Sequence, residues 1–330
     1  MVRRALLAPL RRAAFEPQTL PAEVVAGLAL VAPVVAGLAI FRLPALILLA
    51  LGLVLGGAAM AVALWLRLPH PARPLISALF AVALIGPGAP LVWVCGAAAG
   101  AAMLALAAVW LLPRDHAETG LWAAAAVLLL SRGAASAYYR PGSQLVASEP
   151  IRLWLSYFIS LGQSPIDAVK LYVGNVPGPV FATSLLAVGV AAAWYWYARR
   201  LSLLVLLTFL VGALIPILVM HWPIRYQLDS GPLWFVAALI LADRRHLPAS
   251  RLGRPLLGLC AGLVATAARI RGYSIEAVVT EVAALQILVS LLEGGGWMVG
   301  NRRLVWETLR HFDAHSLSLR GGRRYRISSS

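Results

Sequence analysis

Charge is what this chain has least of. Only 12% of its 330 residues are charged against 61% hydrophobic, and the mean hydropathy is +0.83. That balance lies far outside the usual range of a water-soluble domain. Cysteine is almost missing. Cys95 and Cys260 both lie inside apolar runs without a CxxC or a Cys/His pairing, so they read as buried packing residues rather than ligands. The six histidines are scattered with no HxxH or HExxH spacing, which gives no support to a metal site; His221 and His246 read as interfacial. A Gly-rich phosphate loop is lacking too, as is any polar stretch long enough to house one. Dinucleotide chemistry would have to belong to a partner.

What the chain does have is apolar runs. They cover 24–41, 44–66, 75–85, 91–112, 120–131, 180–198, 201–220, 231–243, 255–270 and 277–292. A bilayer core of roughly 30 Å is the solvent such runs suit. Every backbone amide in lipid needs an internal partner, and these runs lack the alternation of barrel strands, so helices are expected. The fold class read from the sequence is an all-α integral membrane protein with about ten transmembrane helices.

The +15 net charge invites a nucleic-acid reading, but its distribution argues for topology. With ten spans and a cytoplasmic N-terminus, the cytoplasmic segments hold 20 of the 28 basic residues. They include Arg3, Arg4, Arg11, Arg12, Arg67, Arg73, Arg114, Arg199, Arg200, Arg244, Arg245, Arg251, Arg254 and the arginines after residue 300. This is the positive-inside asymmetry, and it favours an even number of spans with both termini cytoplasmic.

The chain divides into a basic amphipathic segment (1–22), a first five-helix half (23–131), an outer loop (132–179), a second five-helix half (180–293) and a basic tail (294–330). MVRRALLAPLRRAAFE and RRLVWETLRHF read as interfacial stretches. In each half the third span is short and followed by a breaker: LISALFAVALI by GPGAP, and GPLWFVAALILAD by DRRHLPASRLGRP. Short, interrupted spans at matching places point to a site at a repeat interface, and five helices per half would insert the second copy inverted. Freed helix N-termini there would favour anions.

Several stretches carry a resemblance, in order over about residues 30–293. They are PLISALFAVALIGPGAPLVWVCGAAAGAAM, LGQSPIDAVK, VPGPVFATSLLAVGV, SGPLWFVAALILADRRHLPASRLGRPLLG and GYSIEAVVTEVAALQILVSLLE. Together they resemble one family of membrane proteins. Its members are the D-type membrane component of the Rnf complex and the B-type component of the sodium-pumping NADH:quinone oxidoreductase (Nqr). The resemblance implies ten helices, cytoplasmic termini, a bacterial inner membrane and companion membrane subunits. It also implies flavin mononucleotide (FMN) linked through its phosphate to a threonine in a Ser-Gly-Ala-Thr-like motif followed by Pro-Leu-Asp-Ala, where this chain has a serine. Ser164, ahead of Pro165, Ile166, Asp167 and Ala168, stands at that acceptor position. Thr183 and Ser184 match the phosphate-proximal turn, Asp243 the exit of the eighth span, and Arg271 the basic end of the ninth. The family's acidic residue in that turn is Ala182 here, and its Asn-rich motif is replaced by the stretch around 111–126.

A few other residues weigh in. Glu281 lies inside the tenth span, where an ionisable group is a functional candidate, though Glu276 and Glu281 also stand near one end. Arg269, with Arg271, suits either an anion or a helix-end anchor. Tyr138, Tyr139 and the aromatic run at 194–197 read as interfacial. Three functions stay open: a flavin-bearing redox subunit that is not catalytic alone, a flavin-free paralogue serving as scaffold or ion pathway, and a stand-alone small-molecule carrier.

Overall fold

A computed structural model describes residues 16–111, 118–143, 145–150, 167–222, 224–248 and 250–300. Ser164 and both terminal basic stretches lie outside them. The described residues form helices and turns, with two isolated β-bridges and no strand. The helices are α1 (Ala22–Phe41), α2 (Leu43–Trp65), α3 (Arg73–Ala83), α4 (Leu91–Leu111), α5 (Thr119–Leu130) and α6 (Ala168–Val173). They continue with α7 (Leu185–Tyr197), α8 (Leu203–Val219), α9 (Ile224–Leu228), α10 (Gly231–Leu241), α11 (Gly253–Ala268) and α12 (Ser274–Gly300).

Four helices, α1, α2, α4 and α12, are long and apolar enough to cross a membrane, and α3, α5, α7, α8 and α10 are shorter apolar helices. Large hydrophobics such as Val54, Val92, Leu129 and Leu291 are exposed along these helices, the surface expected against lipid rather than water.

The helix boundaries have local causes. Glu118 and Ser184 cap α5 and α7 by accepting from Gly120 N and Ala187 N, satisfying amides the first turn leaves orphaned. Asp167 does the same for α6 through Val169 N. Pro74 and Pro232 sit in the first turns of α3 and α10, where the missing N–H costs nothing. Several helices exit through a residue with positive φ, and that residue is basic where glycine is usual: Arg67, Arg199 and His221. In each case the next amide reaches back five residues, Leu68 to Ala63, Arg200 to Tyr195 and Trp222 to Ile217. A cation on the last turn complements the helix dipole.

Packing is tightest between α8 and α11. A Cβ built on Gly258 or Gly262 would run into the backbone of α8 at Val205 and Phe209, so the backbones touch only because both residues are glycine. Their spacing is the small-xxx-small pattern of membrane helix pairs.

The two short third spans meet in the centre. Phe80 of α3 and Phe235 of α10 lie edge to face, with ring centroids 5.9 Å apart. α10 is the most enclosed helix: every residue from Phe235 to Leu241 is buried, and that stretch is wound as a π-helix. Beyond α3 the chain continues as irregular backbone that finds partners inside the protein. Val180 N donates to Ile85 O, Phe181 N to Ala83 O, and Gly86 N to Ala135 O. Buried non-helical backbone is tolerated only when other protein segments satisfy it.

Some expectations change. The sixth run was expected to be helical from 180, but its helix starts at Leu185 because 177–184 forms the turn that bonds to α3. His246, expected at the interface, is 3% exposed, and Tyr138 is buried. Cys260, expected to pack inside, is exposed; Cys95 is half-buried.

Candidate functional site

α10 spans the distance between two buried polar clusters. Its first residue follows Ser230 in one, and Asp243, two residues past its end, belongs to the other. Thirteen residues at the α-helical rise would span roughly 20 Å, and the π-wound stretch shortens that distance.

The first cluster is built on Arg269, which follows α11 and is 1% exposed. Its Nη2 donates to Glu149 Oε1 at 3.1 Å and to Ser230 Oγ at 2.7 Å, and Nη1 donates to Gln227 O at 3.3 Å. Ser274, at the start of α12, donates to the other Glu149 oxygen at 2.5 Å. The carboxylate thus accepts from a guanidinium and from the first residue of α12, and a buried charge needs that degree of satisfaction. Beside it lies a cavity of about 10 Å³, lined by Glu149, Thr183, Asp229, Ser230 and Arg269 among others. It has room for about one water.

The second cluster joins both halves of the chain at the opposite end of α10. Asp243 accepts from Arg245 Nε at 2.8 Å, Nη2 at 2.7 Å and the backbone N at 3.0 Å. Burial disfavours both charges, but their mutual attraction outweighs it: the Asp243 carboxyl is held below its ordinary range and the Arg245 guanidinium above its own. Next to them His246 Nδ1 lies 3.3 Å from Ile240 O, and its Nε2 lies 3.9 Å from Glu118 Oε2. Burial pushes the His246 pKa down, against the raising pull of Asp243. Glu118 also accepts from Ser77 Oγ at 2.6 Å. The Tyr195 hydroxyl is fully buried within the field of Asp243, Arg245 and Glu118, and has no hydrogen-bond partner among the described residues. Chemically, the Asp243–Arg245 pair is a fixed dipole beside a Glu118–His246 contact of 3.9 Å, which is longer than a hydrogen bond.

The expected flavin residues are dispersed among these features. Ser164 lies outside the described residues. Thr183 and Ser184 are buried at the Arg269 end, with the Ser184 hydroxyl occupied in capping α7. Arg271 is exposed on the π-turn that follows α11, two residues from Arg269. Asp243 is at the far end of α10 and does not join them. The described residues at Thr183 fit a water molecule, not an isoalloxazine ring. Glu281 is half-buried on α12.

Glu118 and Glu149 went unrecognised in the sequence. Glu118 was findable, because an acidic residue just ahead of an apolar run is a helix-cap signal. Glu149 carried no such mark.

The fold and its two enclosed ionic clusters define an all-α protein with a lipid-suited surface and helices able to cross a membrane. No family model matches the chain, and no curated protein matches it at a significant level.

Proposed function

We propose that the chain is a membrane subunit of an Rnf/Nqr-type ion-translocating electron-transport complex. In this reading it lies in a bacterial inner membrane, with ten crossings in two inverted five-helix halves and both termini in the cytoplasm. It works with other membrane subunits and is not catalytic alone. The ordered sequence resemblance over about 30–293 supports the family.

One observation carries the ten crossings: helix ends pair as strict alternation requires. Glu23 with His70, Ser77 with Glu118, Glu118 with His246, and Arg244 with Arg200 all join ends assigned to the cytoplasm. Gly86 with Ala135, Val180 with Ile85, and Arg269 with Glu149 all join ends assigned outside. The packing of α1 on α7 and of α5 on α12, equivalent members of the two halves, is in keeping with a repeat.

Within this reading Ser164, in the outer loop, is the acceptor for FMN, whose ring would supply the redox chemistry; the chain contributes the tethering hydroxyl. A flavin-free scaffold or ion pathway is the second reading. It is favoured by the one-water cavity at Thr183 and by Glu149 already occupying Arg269.

The test is direct. The purified protein is denatured, run on a gel and viewed under ultraviolet light. A fluorescent band that Ser164→Ala abolishes, from a preparation that retains companion subunits, supports the redox subunit. A dark wild-type band removes the flavin and leaves the second reading.

A further inference from the structure

We propose that the cleft between the C-terminal end of α7, the start of α8 and the 244–254 turn binds the phosphodiester headgroup of an anionic phospholipid. The cleft measures about 540 Å³ and is lined by Trp196, Leu201, Ser202, Leu203, Leu204, Arg244, Leu247 and Arg254. Its composition changes with depth. Leu201 and Leu247 form a buried floor, whereas Trp196, Leu203 and Leu204 are 62%, 47% and 51% exposed on the lipid-suited flank.

The charged side chains of the rim are both cationic. Arg244 and Arg254 are exposed and make no ion pair among the described residues. Asp243, next in sequence to Arg244, is already committed to Arg245. Arg254 is held in place by its Nε, which donates to Pro248 O at 3.0 Å, leaving the outer face of its guanidinium for a ligand.

The N-terminus of α8 lines the same cleft, a 17-residue helix whose Ser202 makes no side-chain cap. Its first-turn amides lack intrahelical acceptors and carry the positive end of the helix dipole. Two guanidiniums and an uncapped helix start form an anion site. The exposed leucines and tryptophan leading away from it suit acyl chains and the ring of an interfacial anchor. A free inorganic anion would use the rim but leave that apolar flank uncovered, so a lipid is the occupant that satisfies both. The site needs only that the chain sits in a membrane and is independent of the redox reading.

The experiment is native mass spectrometry of the detergent-solubilised full chain, titrated with dioleoylphosphatidylglycerol and, separately, dioleoylphosphatidylcholine. The expected result is a retained phosphatidylglycerol adduct on the wild type and on R251Q, an exposed arginine outside the cleft. Retention should be weaker in R244Q and at least about 10-fold weaker in R244Q/R254Q. R244Q changes only an exposed side chain, so it keeps the test valid if the double variant folds poorly. Equal retention by the variants, equal binding of phosphatidylcholine, or displacement of the lipid by millimolar inorganic phosphate would each overturn the proposal.

Discussion

Phe80 and Phe235 meet edge to face at the centre of the bundle, 5.9 Å apart and 68° between planes, one from each of the two short helices. Both are buried, at 1% and 0% exposure. The contact fixes how the first half's broken helix seats on the second's. Replacing either by Ala is expected to cost ~3–5 kcal/mol, because α10 is enclosed and cannot collapse into the void. In a double-mutant cycle the pair should show coupling of about 0.5–1.5 kcal/mol, read from thermal unfolding in detergent. Additive costs would mean that the rings merely share a cavity wall.

The Arg269–Glu149 pair links segments 120 residues apart in the chain. It ties the segment between α5 and α6 to the turn between α11 and α12. Arg269→Met leaves a buried, uncompensated carboxylate and is expected to destabilise by ~3–5 kcal/mol. The double variant Arg269→Met/Glu149→Met removes both charges and should recover much of that loss. A double variant worse than the single would show that the pair stabilises beyond its own desolvation cost.

His246 gives the protein a pH response. Its folded pKa lies below the ordinary value of about 6.5, so below that pH the unfolded chain binds more protons than the folded one. The stability His246 contributes is therefore complete above about pH 6.5 and is lost as pH falls toward its folded pKa. Asp243, Arg245 and Glu118 all face the ring. Asp243 is also depressed, but its contribution fades only below the carboxylate range, at a lower pH. Melting temperature is expected to drop between pH 7 and 5 in the wild type and to be flatter over that window in His246→Gln. An unchanged slope in the variant would assign the response to another group.

Much of the helical framework was legible because lipid-suited runs announce themselves by length, and each of the ten expected runs is helical over most of its extent. The short third spans stood out by their breakers, and the structure brings them together at Phe80 and Phe235. The late start of α7 was partly readable, since Ser184 ahead of an apolar run is a cap signal. The glycines at 258 and 262 were readable as a close-packing motif and went unused.

The π winding of Phe235–Leu241 left no mark in the sequence. Nor did the burial of Asp243, His246 and Glu118, because loop charges are ordinarily solvated. Here Glu118 ahead of α5, Tyr195 of α7 and the Asp243–His246 turn after α10 come together from distant parts of the chain. Glu149 could not be matched to Arg269 for the same reason.

In the proposed topology the two ionic clusters at the ends of α10 lie on opposite faces of a membrane. With Cys95 and Cys260 replaced by Ala, single cysteines at Leu145→Cys and Ser250→Cys can be probed with a membrane-impermeant maleimide on intact cells. Both positions are exposed. Residue 145 is expected to be labelled from outside and residue 250 only after permeabilisation. Labelling of both from the same side, or in the reverse order, would contradict it.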